Sequence, residues 1–305
     1  MCKDIIFEKD CLDYPEEQAY LLPVYLNLKH HSLEQPIGIF DSGYGGLTVM
    51  KEIVKVLPEY DYIYLGDNAR APYGTRSYDT VHRYTWECVE WFFSQGCELV
   101  ILACNTASAK ALRTIQQQHM KGKYAHKRVL GVIRPTAEVI GNYSSQKAVG
   151  VMATRGTVDS GSYEIEIGKV SPEVEVFQEA CPIWVPLVES QEVEGPGVDY
   201  FVKKHLDMLL GRSGKIDTIL LACTHYPLLI EAIRKNLGRD VNIISQGSIV
   251  AESLKDYLNR HPEIDKNCSK GGKRKFFTTD SAEDFNLKAG FFYGTAVNAE
   301  HIDLG

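Results

Sequence analysis

Residues 98–109, ELVILACNTASA, open on an acid, run through five apolar residues to Cys104 and turn polar at once. A segment apolar at every successive position is buried on both faces, which suits a central strand of a parallel sheet rather than an edge strand. A second stretch, ILLACTHYP at 219–227, builds the same apolar run and also ends it in Ala-Cys followed by hydroxyl and imidazole groups.

The rhythm around them agrees. IGIFD (37–41) reads as a strand ending in an acid, followed by GYGG and a helical stripe of Leu47, Met50, Val54 and Leu57 closed by Pro58. DYIYLGD (61–67) is a further strand with the loop NARAPYGTR behind it, then a helix over about 77–95. Another helix is expected from Ala107 to His119. Later strands are expected at 128–133, 148–154, 174–180, 218–223 and 241–245, with helices at 198–210 and 228–237. A helix at 249–259 and a strand at 275–279 close the chain. Strand–helix alternation through short loops means α/β architecture, with parallel sheets wound on both faces. So many strands fit two doubly wound sheets better than one open sheet. Reactive groups in this class collect at the carboxyl ends of strands, where Asp41, Asp67, Cys104 and Cys223 stand. Residues 1–34 do not join the rhythm; a short helix near residues 16–22 is the only element they suggest.

The 305 residues carry a formal net charge of −7, which argues against nucleic acid or an anionic membrane surface as a partner. The basic run KGGKRK (270–275) reads as a solvated loop. No stretch approaches the roughly 18 consecutive apolar residues of a membrane span, and the acidic N-terminus lacks a signal-peptide pattern. A cytoplasmic protein is expected. Its eight cysteines never form Cys-x-x-Cys, so neither a zinc ribbon nor a disulfide framework is expected, and no metal site. Cys88 and Cys97 read as buried packing.

DSGYGG (41–46) joins a strand to a helix and brings backbone N–H groups to the helix start, as a plain turn or as an anion site. It matches neither a Walker loop nor a dinucleotide fingerprint. A single cysteine at a strand end is usually packing; two at matching positions, each with polar neighbours at the mouth, are a different signal. A free thiol ionises at roughly pH 8.5, so it needs help to act as a base, from His225 beside Cys223 or from a helix N-terminus. Tyr73 and Gly74, in APYGTR, mark either a simple turn or a hydroxyl and an N–H aimed at a ligand carboxylate. Glu189, in PIWVPLVE, is either surface or site. Paired thiols suit racemisation, because mirror-image substrates require each of two groups to be acid in one direction and base in the other.

The motifs IGIFDSGYGGLTV (37–49), APYGTRS (71–77), ILACNTASA (101–109), PIWVPLVE (182–189) and LLACTHYPLL (220–229) together resemble the glutamate racemases of the aspartate/glutamate racemase superfamily, over roughly residues 37–290. The resemblance implies two pseudo-symmetric α/β domains facing each other across the active site: residues 35–127 with 251–305 carrying Cys104, and 128–250 carrying Cys223. It implies that Cys104 takes the α-proton from D-glutamate and Cys223 from L-glutamate, assisted by Asp41 and His225 respectively. Asp41 with Ser42, Tyr73 with Gly74, Asn105 with Thr106, and Thr224 with His225 would bind the amino acid, with Glu189 near the second thiol. No cofactor is implied. D- or L-glutamate would be the small-molecule partner, D-glutamate would feed peptidoglycan synthesis, and a homodimer is expected. The sequence departs from the family pattern at Thr136, where many members carry glycine, and in IISQGSIVAE (243–252), which lacks the acid often found after that strand. Alternatives are a racemase of aspartate or another amino acid, a decarboxylase using one thiol, and a non-catalytic amino-acid-binding regulator.

Overall fold

The computed structural model describes residues 35–304, so the N-terminal segment and its expected short helix lie outside the described residues. The chain opens with β1 (Ile37–Asp41), α1 (Gly46–Val56), β2 (Tyr62–Gly66), α2 (Tyr78–Ser94) and β3 (Leu99–Leu102). α3 (Asn105–Lys110), the short α4 (Leu112–Thr114) and β4 (Arg128–Gly131) follow, and α5 (Ile133–Ile140) leads away. Next come β5 (Ala148–Ala153), α6 (Arg155–Asp159), α7 (Ser162–Val170), β6 (Glu175–Ala180), α8 (Trp184–Glu189), α9 (Pro196–Leu210) and β7 (Thr218–Ala222). After α10 (Ile230–Asn236) and β8 (Asn242–Ser245), the helix α11 (Gln246–Arg260) and the short α12 (Pro262–Asp265) precede β9 (Arg274–Thr278), α13 (Ala282–Tyr293) and β10 (Ala299–His301).

All strand pairs are parallel and they form two sheets, ordered β10-β9-β2-β1-β3-β4 and β6-β5-β7-β8. Leaving aside β9 and β10, each sheet runs second, first, third, fourth. Strand order therefore reverses between the first and third strands of each sheet, and a crevice opens there at their carboxyl ends. In one sheet the crevice is flanked by Asp41 and Cys104; in the other it is flanked by Thr154 and Cys223.

Both faces of each sheet are covered, as a doubly wound fold requires. On β3, Leu99 and Ile101 pack with Leu47, Met50 and Ile53 of α1, while Val100 and Leu102 join Val81, Val89 and Phe92 of α2. On β7, Ile219 and Leu221 face one apolar cluster and Leu220 the other. The alternation of a half-buried strand has become alternation between two cores.

Several expectations change. The strand at 128–131, read as the opening of the second α/β unit, pairs instead with β3, Arg128 opposite Leu99. Apolar pattern marks a strand but not which sheet it pairs in. The helix expected from Ala107 begins at Asn105, because Cys104 Sγ accepts the Ala107 N–H as its cap, and it divides into α3, α4 and a π-helical turn at Ile115–His119. The chain does not close on β9: α13 and β10 follow, the helix capped by Ser281 and ended by Gly294 at φ 92°. In the basic run, Lys270 pairs with Asp265, and Arg274 and Lys275 already belong to β9. Among the described residues, no helix is long and apolar enough to cross a membrane.

Candidate active site

The first sheet places Asp41 at the end of β1 and Cys104 just beyond β3. Asp41 is buried; its Oδ2 accepts the Gly43 N–H at 3.0 Å, while Oδ1 makes no hydrogen bond among the described residues. Burial raises its carboxyl above the ordinary range, against the pull of His225 and of the Gly46 and Gly43 N–H groups. Cys104 donates its S–H to Ser42 Oγ at 3.5 Å and accepts the Ala107 N–H at 3.5 Å. Burial, and next the charge of Asp41, pushes this thiol up to about 12 in spite of those two bonds. Cys223 adds to the rise.

The second sheet supplies Cys223 just beyond β7, with Thr224 and His225 in the turn behind it. His225 is buried, with Nδ1 3.9 Å from Cys223 Sγ and 3.4 Å from Thr224 Oγ1, and Nε2 3.0 Å from Glu189 Oε1. Burial opposes charge on this ring, but the hydrogen bonds to Cys223 and Glu189 outweigh it and lift the imidazole to about 10. When protonated, the ring can donate from both nitrogens, to Cys223 and to Glu189. Glu189, at the end of α8, is thus held against His225 rather than lying free on the surface.

The glycine turn DSGYGG is pressed directly onto this second group. A Cβ at Gly45 would stand 2.6 Å from His225 Cε1 and closer still to Thr224 Oγ1 and His225 Nδ1. A Cβ at Gly43 would lie 3.7 Å from Glu189 Oε1. Thr48 Oγ1, in α1, donates to the Thr224 carbonyl at 2.9 Å. Glycine at 45 is required by close approach rather than by dihedral angle. The seam gathers Asp41, Ser42 and Cys104 from one sheet with Cys223, Thr224, His225 and Glu189 from around the other.

The other candidates are placed differently. The Tyr73 hydroxyl, expected to face a ligand carboxylate, instead donates to Asp67 Oδ2 in the core. The physical reason is Asp67 itself: a fully buried carboxylate at the end of β2 needs donors, and it also takes Arg70 Nε at 2.7 Å and Thr279 Oγ1 at 2.8 Å. Tyr73 and Gly74 are left with their backbone to offer. Asn105 is buried with its amide bonded to Gln246 and Tyr163. Thr106 Oγ1 lies 3.0 Å from Thr154 Oγ1, tying α3 to the end of β5.

Sequence reasoning missed three contributors. Thr154, Tyr163 and Gln246 carry no motif, although Thr154 ends the strand that matches β1 in the second sheet. The missed α13 borders the site through Phe292, whose ring meets His225 edge-on at 5.4 Å, and through Phe285, stacked on Tyr44 at 5.2 Å. The spacing of Phe285, Ala289 and Phe292 was the available signal. Elsewhere, a cavity of about 720 Å³ is lined by Lys110, Arg113, Arg134 and Tyr257 among others, and by none of the candidates above. Among the described residues, no cluster of three or more His, Cys, Asp or Glu is arranged to hold a metal ion.

Comparison with known proteins gives the same picture. A glutamate racemase of Streptococcus gordonii is 39% identical over 271 residues, covering 88% of this chain and 99% of the relative. One from Sulfurihydrogenibium is 39% identical over 270 residues, 88% and 97% of the two chains. Among solved structures, a glutamate racemase isoform from Bacillus anthracis superposes with TM-score 0.80 at 36% identity, covering 88% of this chain and 98% of that one. The enzyme of Francisella tularensis, solved in complex with D-glutamate, gives 0.79 at 32%, covering 89% and 98%. The sequence model for Asp/Glu/Hydantoin racemases matches residues 37–254, both thiol-bearing strands included, and the chain belongs to that family.

Proposed function

We propose that this protein interconverts L- and D-glutamate without a cofactor, using Cys104 and Cys223 as an acid/base pair on opposite sides of the α-carbon. The observation that carries this is the placement of two thiols at matching strand ends of two like-ordered sheets, with the turn after Asp41 pressed onto the Thr224–His225 pair that follows Cys223. From D-glutamate, the Cys104 thiolate takes the α-proton while Cys223 returns one to the opposite face; from L-glutamate the roles exchange. Asp41, a buried carboxyl at the end of the neighbouring strand, is the group to accept the proton of the Cys104 thiol. When Cys223 has given up its proton, the His225 imidazolium supplies the counter-charge, held in place by Glu189. Ser42, Thr106, Thr224, Asn105 and the Tyr73–Gly74 backbone are the groups offered to the substrate's ammonium and carboxylates. Fixed donors in a water-poor seam stabilise the carbanionic charge that develops on a very weak carbon acid. The product D-glutamate would serve peptidoglycan synthesis.

Proton exchange in D₂O tests this. Either enantiomer should gain α-deuterium and drift to an equal mixture with nothing added. Cys104→Ser and Cys223→Ser should each lose racemisation by at least about 10²-fold. Retention of the α-proton by both enantiomers with the wild-type protein would sink the proposal.

A further inference from the structure

Asn105, next in sequence to Cys104, belongs to a closed ring of buried hydrogen bonds. Asn105 Nδ2 donates to Gln246 Oε1 at 2.7 Å, Gln246 Nε2 donates to the Tyr163 hydroxyl at 2.6 Å, and Tyr163 donates back to Asn105 Oδ1 at 2.7 Å. The three side chains come from different parts of the fold: Asn105 starts α3, Tyr163 lies on α7 and Gln246 starts α11. All are buried.

Such a ring can run in either sense, because turning an amide over exchanges donor for acceptor. Here one backbone carbonyl decides. Gln246 Nε2 lies 3.3 Å from Val132 O and 2.9 Å from Thr136 Oγ1, and Thr136 already gives its own proton to Val132 O at 2.9 Å. Both neighbours accept, so an amide oxygen turned towards them would face the Val132 carbonyl with no proton between. Gln246 must present its NH₂ on that side and its oxygen to Asn105. Asn105 must answer with Nδ2, leaving Oδ1 for Tyr163. Burial raises the Tyr163 phenol far above its ordinary range, so it remains a donor. Asn105 then has one side-chain N–H left without a partner among the described residues, while the second N–H of Gln246 is taken up by Thr136 and Val132. Thr136, one departure from the family pattern, proves to be a hydrogen-bond partner of Gln246, which lies within the segment 243–252 that carries the other.

We propose that Gln246 is a positioning residue for the reaction: with Tyr163 it fixes the sense of the Asn105 amide, so that a donor rather than an acceptor faces an anionic group of the substrate beside Cys104. The inference rests on the assignment of Asn105 as a substrate contact, and the experiment separates the two. Steady-state kinetics with both enantiomers are measured on Asn105→Ala, Gln246→Glu and Tyr163→Phe. Asn105→Ala should raise KM. Gln246→Glu sets an oxygen against Val132 and draws the Tyr163 proton away, freeing Asn105 to turn; KM for both enantiomers should rise about tenfold, with kcat within about twofold of wild type. Acidification protonates the new carboxyl, restores a donor on the Val132 side and should return KM towards wild type, which a merely structural lesion would not do. Tyr163→Phe should raise KM by a smaller factor. Wild-type KM in folded Gln246→Glu or, if that variant does not fold, in Tyr163→Phe, alongside a raised KM in Asn105→Ala, overturns the role of the ring. Wild-type KM in Asn105→Ala overturns the substrate contact itself.

Discussion

Asp41 concentrates the conflict between stability and activity in one side chain. A buried carboxylate with one oxygen unpartnered destabilises the fold whenever it is charged, and burial accordingly raises its pKa. The sign follows: with the folded pKa above the unfolded one, folding is favoured at low pH, and that stability is lost as pH rises through the folded value. Asp41→Asn should therefore stabilise the protein at pH 8 by about 1–3 kcal/mol, raising Tm by several degrees, with the gain vanishing below the ordinary carboxylate range. The same change should lower kcat by about 10²-fold or more. Thermal melts across pH check the first part and racemisation rates the second; equal stability of both proteins at pH 8 would count against a strained carboxylate.

At the level of single elements, the turn from β1 into α1 packs directly on the turn that follows β7, and Gly45 is its tightest point. Gly45→Ala forces a methyl group into Thr224 and His225, contacts that must shift because the turn is backed by α1. A cost of about 1–3 kcal/mol is expected, with kcat reduced by about 10²-fold through misplacement of the groups on either side. Full activity in Gly45→Ala would show that the seam is looser than its geometry implies. These elements also show what a sequence discloses. β3 and β7 are legible because burial on both faces leaves unbroken apolar runs, and the cysteines end them. Asp41, His225 and Glu189 lie in local motifs and could be named as candidates. The sheet to which residues 128–131 belong is set by the pairing of Arg128 opposite Leu99, which leaves no local trace. The Tyr73 hydroxyl misled because its partner, Asp67, lies six residues back beneath a loop, where a ligand and a core carboxylate exert the same demand. Gln246 was invisible as a partner because its contacts are 83 to 141 residues away in sequence.

For the molecule as a whole, the described site is nearly closed: Cys104 and Cys223 are each 6% exposed, too little to admit an amino acid without movement. The expected route of exchange for substrate and product is a parting of the sheets along this seam. Thiol labelling with peptide mapping should find Cys104 and Cys223 modified slowly in the free protein. Glutamate well above its Kd should slow labelling further, by about tenfold or more; unchanged rates at both residues would argue against entry through this seam. A last consequence follows from the repeated strand order. Neither sulfur shares a sheet with the other, so their separation is not a property of either strand but of how the jaws of a caliper are set. Among the contacts that hold that setting are a glycine turn and a threonine hydroxyl on a distant carbonyl. A single methyl group added along this hinge line would widen the gap for both directions of the reaction alike, leaving the final mixture of enantiomers untouched and only the time to reach it changed.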